Sequence, residues 1–386
     1  MKLRRARMVI KFTCMGAGLF AGFCGAIACG ESGSNPGDLW EHLEENDWPI
    51  LYKSKKGPID KWSLLGRFDL QYGHLFSDQG DAEDFEIRRL RFGTRIKFLD
   101  DWSFKLVADL VADNEVTYGG LEAAHLTYQP SKHLKIRLGK QMAHFSQEWS
   151  TPSSDLRVIE RSLLVQQIRP RKSTGLTVAG KWEQLDYELG VFSGEFDREF
   201  GGNDGGLFYL ASVGYDFSDL IDGWRDFDLR LYYMHNDGDR GNSGLKPYGD
   251  SYSAAIKLRR DRFRLAAEAI YADGIQGRSD AWGFLITPSW ELIDDKLDLV
   301  LRYHYAKSDR RDGLRLRTRY ERMAPNLTDR GRGEEYQSLY LGIKYHIIED
   351  RLVFMAGGEW AEMQDHFGDG GAFDGFSFLS ALRFDF

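Results

Sequence analysis

One pattern governs what this chain can fold into: from Trp62 to the last residue, apolar and polar side chains alternate with period two, segment after segment. Trp62, Leu64, Gly66, Phe68, Leu70 and Tyr72 fall on one face of an extended strand, and Ser63, Leu65, Arg67, Asp69 and Gln71 on the other, because successive strand side chains point to opposite sides. The same reading separates Trp102, Phe104, Leu106, Ala108 and Leu110 from Ser103, Lys105 and Asp109. It separates Leu297, Leu299, Leu301, Tyr303 and Tyr305 from Asp298, Arg302 and His304. Marking every such run gives about sixteen segments, near the length a tilted membrane strand needs. Connections such as Leu99–Asp101, Lys181–Glu183 and Arg260–Arg262 are tight, whereas Met142–Arg171, Asn236–Asp250 and Lys307–Glu334 are long.

Face chemistry separates a soluble barrel from a membrane barrel. One face is almost uncharged and carries Leu, Phe, Tyr, Trp, Ala and Val; the other carries charges, Ser, Thr and Gly. Charged and small groups cannot form a dry core without a heavy desolvation cost, so that face is expected to line water and the apolar face to meet lipid. The expected fold class is all-β: a transmembrane antiparallel β-barrel of about sixteen strands over 62–386, wide enough to enclose a lumen. Aromatic residues near strand ends, among them Trp62, Tyr72, Trp102, Tyr128, Tyr271 and Trp290, suit interfacial girdles. In the last strand Phe376, Phe378, Leu382, Phe384 and Phe386 share a face and the chain stops on Phe386. This ending resembles the C-terminal signal read by outer-membrane assembly machinery.

The N-terminus reads as an export signal over 1–28. Lys2, Arg4, Arg5, Arg7 and Lys11 precede an apolar, small-residue core, and Ala26-Ile27-Ala28 supplies a cleavage site. Cys29 directly follows, which raises lipoprotein-type processing, although Ala26 stands where such sites usually carry Leu. Residues 29–61 read as a periplasmic extension. Cys14, Cys24 and Cys29 are the chain's three cysteines, so cleavage leaves no disulfide framework and no Cys–zinc site. Removing five cations takes the net charge from -8 to about -13, which disfavours nonspecific nucleic-acid binding. The nine histidines are scattered without triad spacing. There is no metal motif, P-loop or dinucleotide fingerprint. Neither enzymatic activity nor a cofactor is expected.

Certain stretches resemble a known family. Glu86-Ile-Arg-Arg-Leu-Arg-Phe-Gly93, Asp101-Trp-Ser-Phe-Lys105, Ile136-Arg-Leu-Gly-Lys-Gln141, Ser153-Ser-Asp-Leu-Arg-Val-Ile-Glu-Arg-Ser-Leu-Leu164, Thr174-Gly-Leu-Thr-Val178 and Gly190-Val-Phe-Ser-Gly-Glu195 are similar to the phosphate-selective porin O and P family. The likeness spans about 60–386 and is strongest over 84–195. The resemblance implies a trimeric barrel in the bacterial outer membrane, an inward-folded third loop, and passive diffusion of small, phosphate-like anions.

The residues themselves supply candidates for such a pore. Arg67, Arg89, Arg91, Arg95, Arg137, Arg264 and Arg302 lie on the polar face of the strands, where rings of Arg and Lys favour anions. Lys105 and Lys135 share that face, and acids such as Asp69, Asp109 and Glu188 partly balance it. The long segment Met142–Arg171 adds Arg157, Arg161, Arg169 and Arg171. It is predicted to hold a helix over Ser154–Gln167, capped by Ser153 or Ser154. The expected partners are outer-membrane lipid, the assembly machinery, small anionic solutes and two further copies of the chain. A channel for sugars or other neutral solutes is the alternative within this class, and a barrel enzyme is the alternative outside it.

Overall fold

The structure is a computed structural model, and it describes residues 49–112, 115–196, 198–202, 204–221, 223–310, 313–316, 320–327, 331–366 and 371–386. The expected export signal, Cys29 and most of the expected periplasmic extension lie outside the described residues.

Alternation of the kind read above builds long strands. β1 (Ile50–Lys53) pairs with the start of β2 (Ile59–Ser77). The wall continues through β3 (Ala82–Phe98), β4 (Trp102–Ala112), β5 (Glu115–Ser131), β6 (Leu134–Gln141), β7 (Ser173–Trp182) and β8 (Leu185–Ser193). It goes on through β9 (Leu207–Asp216), β10 (Asp226–Asn236), β11 (Tyr248–Arg260), β12 (Phe263–Gly274), β13 (Ala281–Ile293) and β14 (Leu297–Lys307). A long connection carries the two-residue pair β15 (Leu314–Arg315) and β16 (Arg332–Gly333). Then β17 (Glu335–Ile348), β18 (Leu352–Gln364) and β19 (Phe373–Asp385) complete the wall. Each wall strand pairs antiparallel with the next, and β19 pairs with β2 from Gly375↔Ser77 to Asp385↔Arg67. β2–β14 with β17–β19 therefore form a closed barrel of sixteen strands, which leaves no open edge in the hydrocarbon.

The two faces separate as the alternation requires. Phe92, Leu138, Leu189 and Leu341 are each more than half exposed on the outer side, whereas Asp298, Arg302 and His304 are buried on the inner side. Asp69 and Gln71 bond to Arg89 and Glu160 inside, so their neighbours Phe68 and Leu70 point outward. One end of the barrel carries tight connections such as 132–133, 183–184 and 261–262. At the first hairpin of that end, the three residues 99–101 join Phe98 to its partner Trp102, and Leu99 and Asp100 both take positive φ, 50° and 60°. The other end carries the long connections, although 78–81 at that end is short.

The inner face is less uniformly polar than its sequence pattern suggests. Leu75, Phe192, Phe208, Leu210, Met234, Met363 and Phe373 turn inward and pack with Leu163, Leu164, Val165 and Ile168 of the 142–172 connection and with Leu314 and Leu316 near β15. Aromatic and aliphatic residues are tolerated there because chain, rather than water, meets them.

The chain terminus closes the ring. The backbones of Phe386 and Gly66 exchange two hydrogen bonds, at 3.0 and 3.1 Å. A Cβ on Gly66 would stand 2.2 Å from the Phe386 ring, so only glycine leaves room for that ring to lie on β2. This cross-strand cover of a glycine by an aromatic ring is a known stabiliser of sheets. Deletion of Phe386 is expected to leave most of the protein unassembled, seen as loss of the heat-modifiable band and as digestion by added protease. Folded barrel at wild-type abundance would contradict a role for this residue in assembly.

Candidate functional site

Residues 142–172 connect β6 to β7 and contain two short helices, α1 (Gln147–Ser150) and α2 (Leu163–Ile168). Their contacts are with inner-facing side chains from several parts of the wall. Glu268 of β12 accepts the backbone N–H groups of Gln147 (2.7 Å) and Glu148 (2.9 Å), a carboxylate cap at the first turn of α1. Arg302 of β14 donates to Glu148 Oε1 (3.1 Å), to the Glu160 carbonyl (2.7 Å) and to Glu359 Oε1 of β18 (2.9 Å). Arg383 of β19 donates to the carbonyls of Ser153 (3.0 Å) and Ile159 (2.7 Å), and Lys344 of β17 to that of Ser154 (3.2 Å). Gln71 of β2 donates to Glu160 Oε1 (2.9 Å). Burial works against the Glu160 carboxylate, but Arg88 and Arg89 beside it hold its carboxyl below the usual range.

These contacts correct the helix expected over Ser154–Gln167. Residues 153–162 are not helical, and the caps are Ser146 and Ser162. The reason lies in the wall: the carbonyls of Ser153, Ser154, Ile159 and Glu160 accept from Arg383, Lys344 and Arg302. Charge-assisted bonds of this kind outweigh the weak helix propensity of a short polar segment.

Two cavities flank this connection. The first, of about 990 Å³, follows the inner wall of β2–β6 from Gly119 and Gly120 at the long-loop end to Leu65, Gly66 and Asp385 towards the other. Its lining holds nine arginines and two lysines against four carboxylates. The second, of about 1080 Å³, lies against β10–β14 and β17 and holds six arginines and lysines against ten carboxylates. The positive character read from the sequence is thus confined to one side of the lumen.

The candidate residues divide accordingly. Arg67, Arg89, Arg91, Arg95, Arg137, Arg161, Arg169 and Arg171 all line the first cavity. Arg67 and Arg89 both reach Asp69, at 3.0 and 2.7 Å. Arg91 pairs with Asp109 at 3.0 Å and with Glu122. Their charge is therefore largely balanced. Arg95 makes no ion pair among the described residues, and Arg137 donates to the neutral Gln141 at 3.2 Å. Arg161 donates to the carbonyls of Glu148 and Thr151, and its guanidinium and that of Arg169 lie on the Trp149 ring, at 4.9 and 4.1 Å from its centroid. Arg171 stacks on Phe196 at 4.5 Å. Such stacking orders a guanidinium without neutralising it.

Arg157 and Arg264 line the second, acidic cavity, near Asp298 at 3.9 and 3.6 Å. Arg302 lines neither cavity: it is 1% exposed, with two carboxylates and a carbonyl as acceptors. Its expected place in the open lining is corrected to one beneath the 142–172 connection.

Sequence reading missed Arg88. Strict alternation sends it outward when Arg89 points inward. The pairing of β2 with β3 shifts between Asp69↔Arg89 and Leu70↔Ile87, a bulge that leaves Arg88 as the extra residue. Arg88 and Arg89 consequently both line the first cavity, and Arg88 lies 3.5 Å from Glu160. The only local signal is the run Arg88-Arg89-Leu90-Arg91, which no single period fits.

Comparison with known proteins agrees with this architecture. The model of the family described as phosphate-selective porin O and P matches residues 65–207. The outer-membrane channel DcaP of Acinetobacter baumannii is 14% identical, with 87% of this chain and 99% of that one covered and a TM-score of 0.55. The anion-selective porin from Comamonas acidovorans is 12% identical, with 84% and 99% covered and a TM-score of 0.57. An in-vitro folded trimer form of OmpT from Vibrio cholerae is 11% identical, with 84% and 99% covered and a TM-score of 0.51. No curated protein matches the chain in sequence. By its closed wall, its apolar outer face and these likenesses the chain is a bacterial outer-membrane β-barrel of the porin fold, matching the phosphate-selective porin O and P family over residues 65–207.

Proposed function

We propose that the barrel is a non-enzymatic porin through which small anions diffuse passively, by way of the first cavity. The observation that carries this reading is the cationic excess of that cavity inside a chain of net charge -8. A fixed charge beside a narrow, low-dielectric wall acts more strongly on a passing ion than one on a wet loop. In this reading the 142–172 connection is the inward-folded third loop and narrows the lumen, and Arg161, Arg169 and Arg171 face the solute. Export with removal of residues 1–28, assembly through Phe386 and a homotrimeric state belong to the same reading; the OmpT trimer form supports the last.

A second reading rests on the acidic cavity: were the solute path there, the channel would show little anion preference. Single-channel recording of the purified barrel separates the two. Arg157→Glu, in the acidic cavity, is expected to leave the reversal potential within a few millivolts of wild type. A shift towards cations as large as that caused by Arg95→Glu would place the path in the second cavity instead.

A further inference from the structure

We propose that the first cavity favours a carboxylate carrying a short apolar body over a bare inorganic oxyanion. This inference rests on the anion-preferring reading and narrows it to a solute class. Its basis is a cationic row followed by an apolar step on the inner face of β3–β6.

Arg95 and Lys105 are Cα partners across β3 and β4, and Lys105 and His125 are Cα partners across β4 and β5. Arg137 stands one inner position further along, opposite Thr127. Cations directly opposite one another destabilise a sheet unless something balances them. Elsewhere along this wall carboxylates do so: Asp69 for Arg67 and Arg89, Asp109 for Arg91, and Glu122 for Arg91 and Lys172. Among the described residues no carboxylate forms an ion pair with Arg95, Lys105 or Arg137, and Glu188, the nearby carboxylate that attracts Arg137, is itself paired with His144. The row is therefore a place where a mobile anion supplies the missing charge, and the guanidinium groups suit a planar carboxylate in particular.

The next inner-facing positions on the same two strands, about 7 Å along, are Val107 and Ala123. They too are Cα partners, and both line the cavity. Leu121 continues this surface, and Met142 and Leu156 of the 142–172 connection line the same cavity. Phosphate has no group that gains from such a surface. An alkyl carboxylate anchored on the cationic row has one, and each methylene that reaches Val107 and Ala123 should strengthen binding by up to about fourfold.

The test is block of chloride current through the purified full-length protein in planar bilayers. Acetate, butanoate, hexanoate and inorganic phosphate are compared at equal ionic strength. Affinity is expected to rise about tenfold from acetate to hexanoate, with phosphate weaker than hexanoate. Val107→Thr, nearly isosteric, should flatten the chain-length series while leaving acetate unchanged; partition of the longer acids into the bilayer would not respond to this variant. Lys105→Gln should weaken all the carboxylates together. A flat series in an anion-preferring wild-type channel, or phosphate as the strongest blocker, overturns this proposal alone. A wild-type channel that prefers cations overturns it together with the reading beneath it.

Discussion

Replacing Arg302 by Met should free the 142–172 connection from the wall, with higher single-channel conductance, rapid current fluctuations and new protease sensitivity between α1 and α2. Arg302 is 1% exposed and satisfies Glu148, Glu359 and the Glu160 carbonyl at once. Removing one member of such a buried group leaves the others charged and unpaired, which typically costs about 3–5 kcal/mol. Glu148 also accepts the backbone N–H and hydroxyl of Ser162, the residue before α2, so its displacement would loosen both helices. The barrel wall itself, with all its backbone pairs intact, should still migrate as a heat-modifiable species. A quiet, wild-type channel would show that Arg383, Lys344 and the apolar contacts of α2 suffice without Arg302. Because desolvation offsets much of the attraction in a buried ion group, its contribution here is better understood as fixing where the connection sits than as adding to global stability.

The second large effect concerns selectivity. The double variant Arg95→Glu with Lys105→Glu should move the reversal potential from the anion to the cation side. These two cations are cross-strand neighbours without an ion-paired carboxylate among the described residues, so nothing dilutes the change. Arg89→Glu should shift it less, because it reverses one charge rather than two and Asp69 keeps its second partner, Arg67, at 3.0 Å. The shift should be largest near 0.1 M salt, where screening extends to about 10 Å, and should shrink towards 1 M, where it is about 3 Å. A double variant that retains wild-type selectivity at low salt would remove β3 and β4 from the filter.

Much of the fold was legible because a membrane barrel writes its two solvents into alternate residues. Phe68 and Leu70 point to the outer face, while Asp69 and Gln71 meet charged groups inside, and this contrast recurs along the wall. The inner apolar packing was not legible. Phe192 and Met234 continue the face that carries Glu188 and Arg230, and only the arrival of Leu163, Leu164 and Leu314 makes them core. Of the site, the arginines were visible but their partners were not. Alternation places Arg89 and Arg91 on the inner face, yet that both are balanced depends on the register that sets Asp69 opposite Arg89 and Asp109 opposite Arg91. Arg88 depended on a bulge, a one-residue departure that periodicity smooths over. Of the helix expected over Ser154–Gln167, the part before Leu163 is absent for the same kind of reason, since the carbonyls of Ile159 and Glu160 are taken by arginines more than a hundred residues away.

In the proposed reading small anions pass along the arginine-lined wall of β2–β6. Its most direct test is the zero-current potential of the wild-type protein in a planar bilayer under a KCl gradient at low ionic strength. Passage along that wall requires a potential of the sign given by chloride passing faster than potassium, diminishing as salt is raised. A potential of the opposite sign would contradict it.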